Sequence, residues 1–413
     1  MKIAFVNQPI DNLIPPYQNS IGLWTYHVAP HVAKQHDVIV FGRRSKTQRE
    51  WNGQDNVQYE FTPLVLPNRS IIELRNRFSL RGGGKLPSYA SQLNYIDYIL
   101  QIAVRIRIER VDVVHIHNFT QFVPVIRALN PNSKIVLHMN GEWLSQLDYD
   151  TMDQRLNQTD TVFGSSNYIT NKIKERFPHH AHMCRTVYNG VNTDLFHPQN
   201  NNGRSRSSKV NRLLFVGRVS PEKGVHDLIK AFLQVVKTYP GAQLDVVGPV
   251  GAMPLEFLVG VSDDPEVRGL TEWYRTDYFV LLNELIPEEY NHNIQFHGSL
   301  GQMDLVRLYQ SADVLVNSSY SESFGMSLVE AMACEKPVVA TRVGGMVEIT
   351  DNGKVGTLVQ RGDIDALAEG LLELLANPDK RDLLGKEGRE RVLDLFDWAQ
   401  IARNAVGYYK GEF

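Results

Sequence analysis

A dozen short apolar runs, separated by segments of helical period, constrain this 413-residue chain more than any other feature. The first half carries KIAFVN (2–7), DVIVFG (37–42), VDVVHIHN (111–118), KIVLHMN (134–140), TVFGSS (161–166) and RTVYNG (185–190). The second half carries RLLFVGR (212–218), QLDVVGP (243–249), IQFHGS (294–299), DVLVNSS (313–319), PVVATRV (337–343) and GTLVQRG (356–362). Most are continuous apolar runs, the pattern of strands covered on both faces. Strands that alternate with helices pair in parallel, so the expected class is α/β with doubly wound, Rossmann-like sheets.

At one domain per ~150 residues the length allows two or three domains. Residues 197–211, HPQNNNGRSRSSKVN, contain one apolar side chain, Val210, and have a linker composition. The reading is therefore a first domain over 1–196, a linker over 197–211 and a second domain over 212–395, facing one another across a hinge. In the last segment, 396–413, Phe396, Ile401, Ala405 and Tyr408 fall at roughly helical spacing. This helix packs on its own domain or crosses back to the first. Two stretches break the rhythm. Residues 68–89 set five basic side chains against Glu73 and contain Gly82, Gly83 and Gly84 in a row. Residues 249–292 separate two strands by more than one helix and hold Trp273, Tyr274, Tyr278, Phe279 and Tyr290, a composition that folds.

With 43% hydrophobic and 22% charged residues, the composition is that of a soluble globular protein. A net charge of −3 gives no bulk field for nucleic acid. Two cysteines, Cys184 and Cys334, make no disulfide framework and point to a reducing compartment. The N-terminus has no signal-peptide pattern and no run of 18 apolar residues occurs, so a cytoplasmic location is expected. The charge is divided unevenly: residues 1–200 hold 21 basic and 16 acidic side chains, net +5, and residues 201–413 hold 22 and 30, net −8.

The strongest local signal is SSYSESFGMSLVEAMACEKPVVA (318–340). A strand ends at Ser318, a loop carries Glu322, Phe324 and Gly325 open a helix, and Glu330 stands about one and a half turns inside it. A helix N-terminus at the carboxyl edge of a parallel sheet seats anions and hydroxylated ligands, and carboxylates there accept hydroxyl hydrogens. On spacing alone, a solvated loop Glu322 and an ordinary helix-surface Glu330 fit equally well.

This segment resembles the E-x7-E signature of retaining glycosyltransferases of the two-domain GT-B fold, family 4, group 1. Further motifs follow in family order: VGRVSPEKGVHDLIKAF (216–232) resembles the Gly-Arg-x-x-x-x-Lys-Gly motif, and VYNGVNTDLFHP (187–198) resembles the Asn-Gly-Val-Asp segment, with Asn192 where Asp is usual. DVVHIHN (112–118) and IVLHMN (135–140) resemble two His-ended strands of the acceptor domain, and RVGGMVEI (342–349) and GTLVQRGD (356–363) the closing motifs.

The resemblance implies that Arg218 and Lys223 clamp the donor's diphosphate, Glu322 holds hydroxyls of the transferred sugar beside Phe324 and Gly325, and Glu330 holds the ribose. Gly248, Phe296 and Gly298 flank the base by position alone. His138 matches the histidine near the reacting centre. His117, Asn118 and Asn140 are candidates for the acceptor side, whereas His115 is read as core, on the opposite face from His117. Gly22 is taken to open the first helix, where the family usually has a Gly-Gly pair that approaches the donor phosphates; here NSIGLW has one glycine. The implied reaction is front-face transfer with retention from a nucleoside-diphosphate sugar, most often a UDP-sugar, to a hydroxyl acceptor in carbohydrate or glycoconjugate biosynthesis. No cofactor or metal is expected, since the Asp-x-Asp at 148–150 falls in a helix-like segment. The basic 68–89 segment is read as a helix and loop over the acceptor, with docking on an anionic membrane as the alternative. A nucleotide-sugar epimerase of the same fold and a non-catalytic sugar-binding subunit are the rival readings; the second is at odds with the presence of Arg218, Lys223, Glu322 and Glu330.

Overall fold

The computed structural model describes residues 1–11, 13–15, 18–44, 53, 56–65, 86–199, 211–251 and 254–412. Most of segment 68–89 and residues 200–210 of the linker lie outside them. The chain divides into two units, Met1–Asn189 with Trp398–Phe413, and Gly190–Asp397.

The first unit is built on a seven-stranded sheet of β1 (Lys2–Val6), β2 (Asp37–Arg43), β3 (Val57–Thr62), β4 (Val113–His117), β5 (Lys134–Met139), β6 (Thr161–Gly164) and β7 (Cys184–Thr186). Their order is β3-β2-β1-β4-β5-β6-β7 and every pairing is parallel. The second unit carries β8 (Arg212–Val216), β9 (Gln243–Val247), β10 (Ile294–Gly298), β11 (Val314–Asn317), β12 (Val338–Thr341) and β13 (Thr357–Val359), all parallel, in the order β10-β9-β8-β11-β12-β13. Each apolar run becomes a strand. The sequence reading overlooked β3, whose run VQYEFT alternates and is only half-buried beside β2. In both sheets the order reverses beside the first strand of the unit, and the carboxyl ends there form the crevice where doubly wound folds bind ligands.

Helix Ser20–Ala33 covers the first sheet with Ile21, Trp24, Thr25, Val28 and Val32, a helical repeat of buried positions. The sequence reading opened it at Gly22. It begins two residues earlier, because Asn19 is the N-cap and accepts the Gly22 N–H at 2.9 Å.

Helix Trp398–Lys410 belongs to the first unit and packs against helix Ser20–Ala33. Trp398 stacks on His27 at 5.4 Å, and Lys134 Nζ donates to the carbonyls of Tyr408 and Tyr409, capping the helix C-terminus with positive charge. Tyr409 is buried, its hydroxyl 2.7 Å from Nδ1 of His115. The stretch after Asn189 belongs to the second unit: Val191 bridges Asp397, Thr193 donates to the Asp397 carboxylate at 2.8 Å, and Phe196 packs edge-on against Tyr309.

Residues 249–292 are folded wherever the structure describes them. Short helical turns at Pro265–Gly269, Leu270–Tyr274, Tyr278–Glu284 and Glu288–Asn293 bring their aromatic side chains onto the domain. Trp273 stacks on His226 at 4.2 Å, and the Tyr278 hydroxyl accepts the His226 N–H at 3.1 Å.

Replacing Tyr409 by Phe leaves a buried His115 nitrogen without its partner, which costs about 1–3 kcal/mol. Amide exchange in β4 and β5 of the full-length variant should accelerate accordingly, while exchange in β8 and β11 stays unchanged.

Candidate active site

Three loops at the carboxyl edge of the second sheet build the site, each following one of β8, β11 and β12. After β8 comes a turn, Pro221–Lys223, closed by Gly224 with φ of 63°. After β11 comes 318–325, which ends at Gly325 with φ of 117°, directly before helix Met326–Ala333. After β12 come Gly344 and Gly345.

The loops approach closer than side chains allow. A Cβ on Gly224 would lie 2.1 Å from the Ser318 carbonyl oxygen, and one on Gly344 would lie 1.7 Å from that of Glu322. Both φ values are positive, so these positions require glycine. Backbone and hydroxyl hydrogen bonds lace the loops: Tyr320 N donates to Glu222 O at 2.8 Å, Ser318 Oγ to Gly224 O at 2.9 Å, and Gly345 N to Glu322 O at 3.1 Å. This lacing brings together Lys223 and Glu322, 99 residues apart, with Nζ 2.6 Å from Oε2. Both side chains are largely but not fully buried, at 22% and 17% exposure, so the pair is enclosed yet reachable by a ligand. Arg218 keeps 36% exposure with a guanidinium nitrogen 4.0 Å from the Glu222 carboxylate. Both cations therefore stand at the same turn.

Glu330 is buried within helix Met326–Ala333 and accepts the Tyr309 hydroxyl at 2.6 Å. Burial pushes its carboxyl up to about 7, and the Tyr309 hydrogen bond offsets part of that rise. Phe324 is core, edge-on to Phe396 at 5.6 Å. Gly248, with φ of 141°, lets its backbone meet the Gly217 carbonyl, and its N–H donates to Gly298 O at 2.9 Å. Phe296 packs edge-on against Phe279.

Sequence reasoning missed the brace behind these loops. The Tyr320 hydroxyl donates to Asp227 at 2.6 Å, and the Tyr274 hydroxyl to Glu222 at 3.2 Å. Arg361 ties the Tyr320 carbonyl to Asp264, with an ion pair of 2.7 Å. Asp264 and Tyr274 come from segment 249–292, so that insertion supports the loop carrying Glu322. The available signal was its aromatic content, which indicated packing but not against what.

In the first unit, His115, His117 and His138 form one buried cluster at the carboxyl ends of β4 and β5. The placement of His115 opposite His117 is corrected: residues two apart in a strand share a face, and the rings are 4.7 Å apart. His117 pairs with His138 across the strands, and His115 Nε2 is 3.2 Å from His138 Nδ1. Trp24 stacks on His115 and meets His117 and His138 edge-on. Burial lowers all three imidazoles, His138 to about 3, so the cluster is neutral at physiological pH. Asn118 and Asn140 lie at its rim: Asn118 Oδ1 accepts the Asn140 N–H at 2.6 Å, and Asn140 Nδ2 is 3.4 Å from His117 Nδ1.

Asp148 of the Asp-x-Asp at 148–150 caps helix Tyr149–Leu156 through the Thr151 N–H. A second such pair, Asp363 and Asp365, serves as the cap of helix Ile364–Ala376 and as acceptor for Gln234.

Residues 198–391 match the family described as glycosyl transferases group 1, and residues 21–195 match glycosyltransferase family 4. Spore coat protein SA of Bacillus subtilis (strain 168) is 24% identical over 412 residues, covering 95% of this chain and 94% of that protein. The structure of sucrose-phosphate synthase from Thermosynechococcus elongatus superposes with a TM-score of 0.72 at 22% identity, covering 100% of this chain and 99% of that one. HepE from Anabaena, in complex with UDP and glucose, gives 0.69 at 18% identity with both chains fully covered.

Two outcomes follow from the geometry. Gly344→Ala must displace the Glu322 backbone, so it should lower thermal stability by several degrees and weaken any ligand that needs Glu322. For Glu330 the folded carboxyl near 7 lies above its ordinary value of 4.5, so between these pH values the folded state holds a proton that the unfolded chain has lost. Stability falls as pH rises through that window, by up to about 3 kcal/mol. Glu330→Gln removes this term, and its melting temperature relative to wild type should climb steadily from pH 4 to pH 8.

Proposed function

The chain belongs to the group 1, family 4 glycosyltransferases, and from that premise we propose that it moves a sugar from a UDP-sugar to a hydroxyl acceptor, with retention and without a metal. The observation that carries the reading is the contact of Lys223 with Glu322 beside Arg218. A nucleoside-diphosphate sugar presents both partners that this pair lacks alone: phosphate oxygens for the cations and hydroxyl donors for the carboxylate. When the donor enters, Lys223 turns from Glu322 toward the diphosphate and Glu322 accepts sugar hydroxyls. Arg218 joins Lys223 on the phosphates, and the N-terminus of helix Met326–Ala333 after Gly325 adds its partial positive charge.

Glu330, half-ionised near neutral pH, accepts ribose hydroxyls in its carboxylate form. HepE, a protein of the same fold, was crystallised with UDP and glucose, which supports uridine as the base. Gly248 follows β9, and Phe296 and Gly298 lie in the last three residues of β10; on this reading they flank that base.

As the bond from the anomeric carbon to the phosphate oxygen breaks, negative charge grows on the diphosphate, and Lys223 and Arg218 stabilise it. The acceptor oxygen then bonds to the anomeric carbon on the face the phosphate leaves, and its proton passes to the departing phosphate oxygen. That route needs no protein base. His138 and His117 are wholly buried, so on this reading Asn118 and Asn140, at the rim of their cluster, are the groups assigned to the acceptor. Gly22 N–H is held by Asn19 at 2.9 Å, so that group is given no part in the reading.

Lys223→Ala and Glu322→Ala should each cut transfer by ~10²–10³-fold in a protein that still folds, measured as UDP released from a panel of UDP-sugars with an acceptor library. Near-wild-type turnover in both would overturn the assignment. The anomeric configuration of the product by NMR tests retention, and inversion would contradict it.

A further inference from the structure

At the other edge of the first sheet, just before β7, two imidazoles converge on one carboxylate oxygen. The motif PHHAHMC (178–184) follows Phe177, and its first six residues form the turn Pro178–Met183. Nε2 of His179 lies 2.7 Å from Oδ1 of Asp153, and Nε2 of His180 lies 3.0 Å from the same oxygen. The three donor atoms all fall within 4.8 Å of one another.

Both elements that carry them are fixed. In helix Tyr149–Leu156, Met152 is buried and the buried Arg155 donates to Thr120 Oγ1 at 2.7 Å and to Ala90 O at 2.8 Å. Tyr149 of that helix stacks on Phe177 at 4.9 Å, which locks it against the start of the turn. Within the turn, His180 N donates to Phe177 O, and the buried Cys184 thiol contacts His180 O at 3.4 Å. The donor set is thus held by packing that does not depend on the three ligands. It is also open on one side: His179 is 50% exposed, Asp153 24% and His180 8%.

We propose that Asp153, His179 and His180 form a binding site for a divalent late transition metal of the zinc class, with solvent in the remaining position. Two imidazoles and a carboxylate are a donor set that suits zinc, at about 2.0–2.2 Å per ligand. Donor atoms that all lie within 4.8 Å of one another can surround one ion once the two imidazoles swing off the Asp153 oxygen. The ion takes the place of the two N–H donors now shared by the Asp153 oxygen, and each imidazole carries its proton on Nδ1 instead. It would tie the turn before β7 to helix Tyr149–Leu156. The site lies at the amino end of β7, away from the carboxyl ends of β4 and β5 that carry His117, Asn118 and Asn140, so it adds stability to the first unit and takes no part in transfer.

The test uses the full chain without an affinity tag, dialysed against chelator and titrated with Zn²⁺ alone by calorimetry, with Co²⁺ absorption as a geometric readout. One Zn²⁺ per chain and a raised melting temperature are expected. Asp153→Asn and His179→Gln should weaken binding by at least ~100-fold, and His182→Gln should leave it unchanged. His179→Gln is a substitution at a half-exposed side chain, so the metal-free variant should melt as wild type does. No saturable binding by the wild-type chain would overturn the proposal. So would binding that survives both variants, which would move the metal elsewhere, such as to the buried His115, His117 and His138.

Discussion

The 2.6 Å contact between Lys223 and Glu322 depends on two places where backbone touches backbone without room for a Cβ, at Gly224 and at Gly344. Those approaches fix where the loop after β11 can run, and so where Glu322 can stand. An ion pair this enclosed is strengthened by its low-dielectric surroundings but pays for lost hydration, and it gains little as a structural device. On the proposed function it is two halves of a ligand site that satisfy one another until a ligand carrying both phosphates and hydroxyls separates them.

The parallel topology makes such a site cheap to assemble. Since every strand of the second unit points the same way, the loops after β8, β11 and β12 emerge together, although their residues are far apart in sequence. Segment 249–292 then braces them from behind through Trp273, Tyr274 and Asp264. Glu330 differs in kind. It is deep, neutral for part of the physiological range, and held by Tyr309, so it trades folding stability for a polar group placed inside the core.

The sequence made the strands legible because continuous apolar runs leave little choice of face; it hid β3, whose alternating, half-buried pattern lacks that signature. Lys223 and Glu322 were legible as motif residues, but their contact was not, because it runs through the Gly224 and Gly344 approaches, which are tertiary. The Tyr309 partner of Glu330 and the Tyr320–Asp227 bond were invisible for the same reason. The shared face of His115 and His117 follows from strand period alone, since residues two apart point the same way. The helix Trp398–Lys410 could be read as a helix from its spacing, whereas its place against Ser20–Ala33 rests on Trp398, Tyr409 and the Lys134 cap, none of which spacing reveals.

On the proposed function, Lys223 serves a diphosphate. Calorimetric titration of uridine, UMP and UDP against the wild-type chain and Lys223→Ala tests it most directly. UDP should bind the wild type at least ~10-fold tighter than UMP, about 1.4 kcal/mol, and Lys223→Ala should erase most of that gap while leaving uridine unchanged. Equal binding of UMP and UDP by the wild type, or a gap that survives in Lys223→Ala, would contradict it.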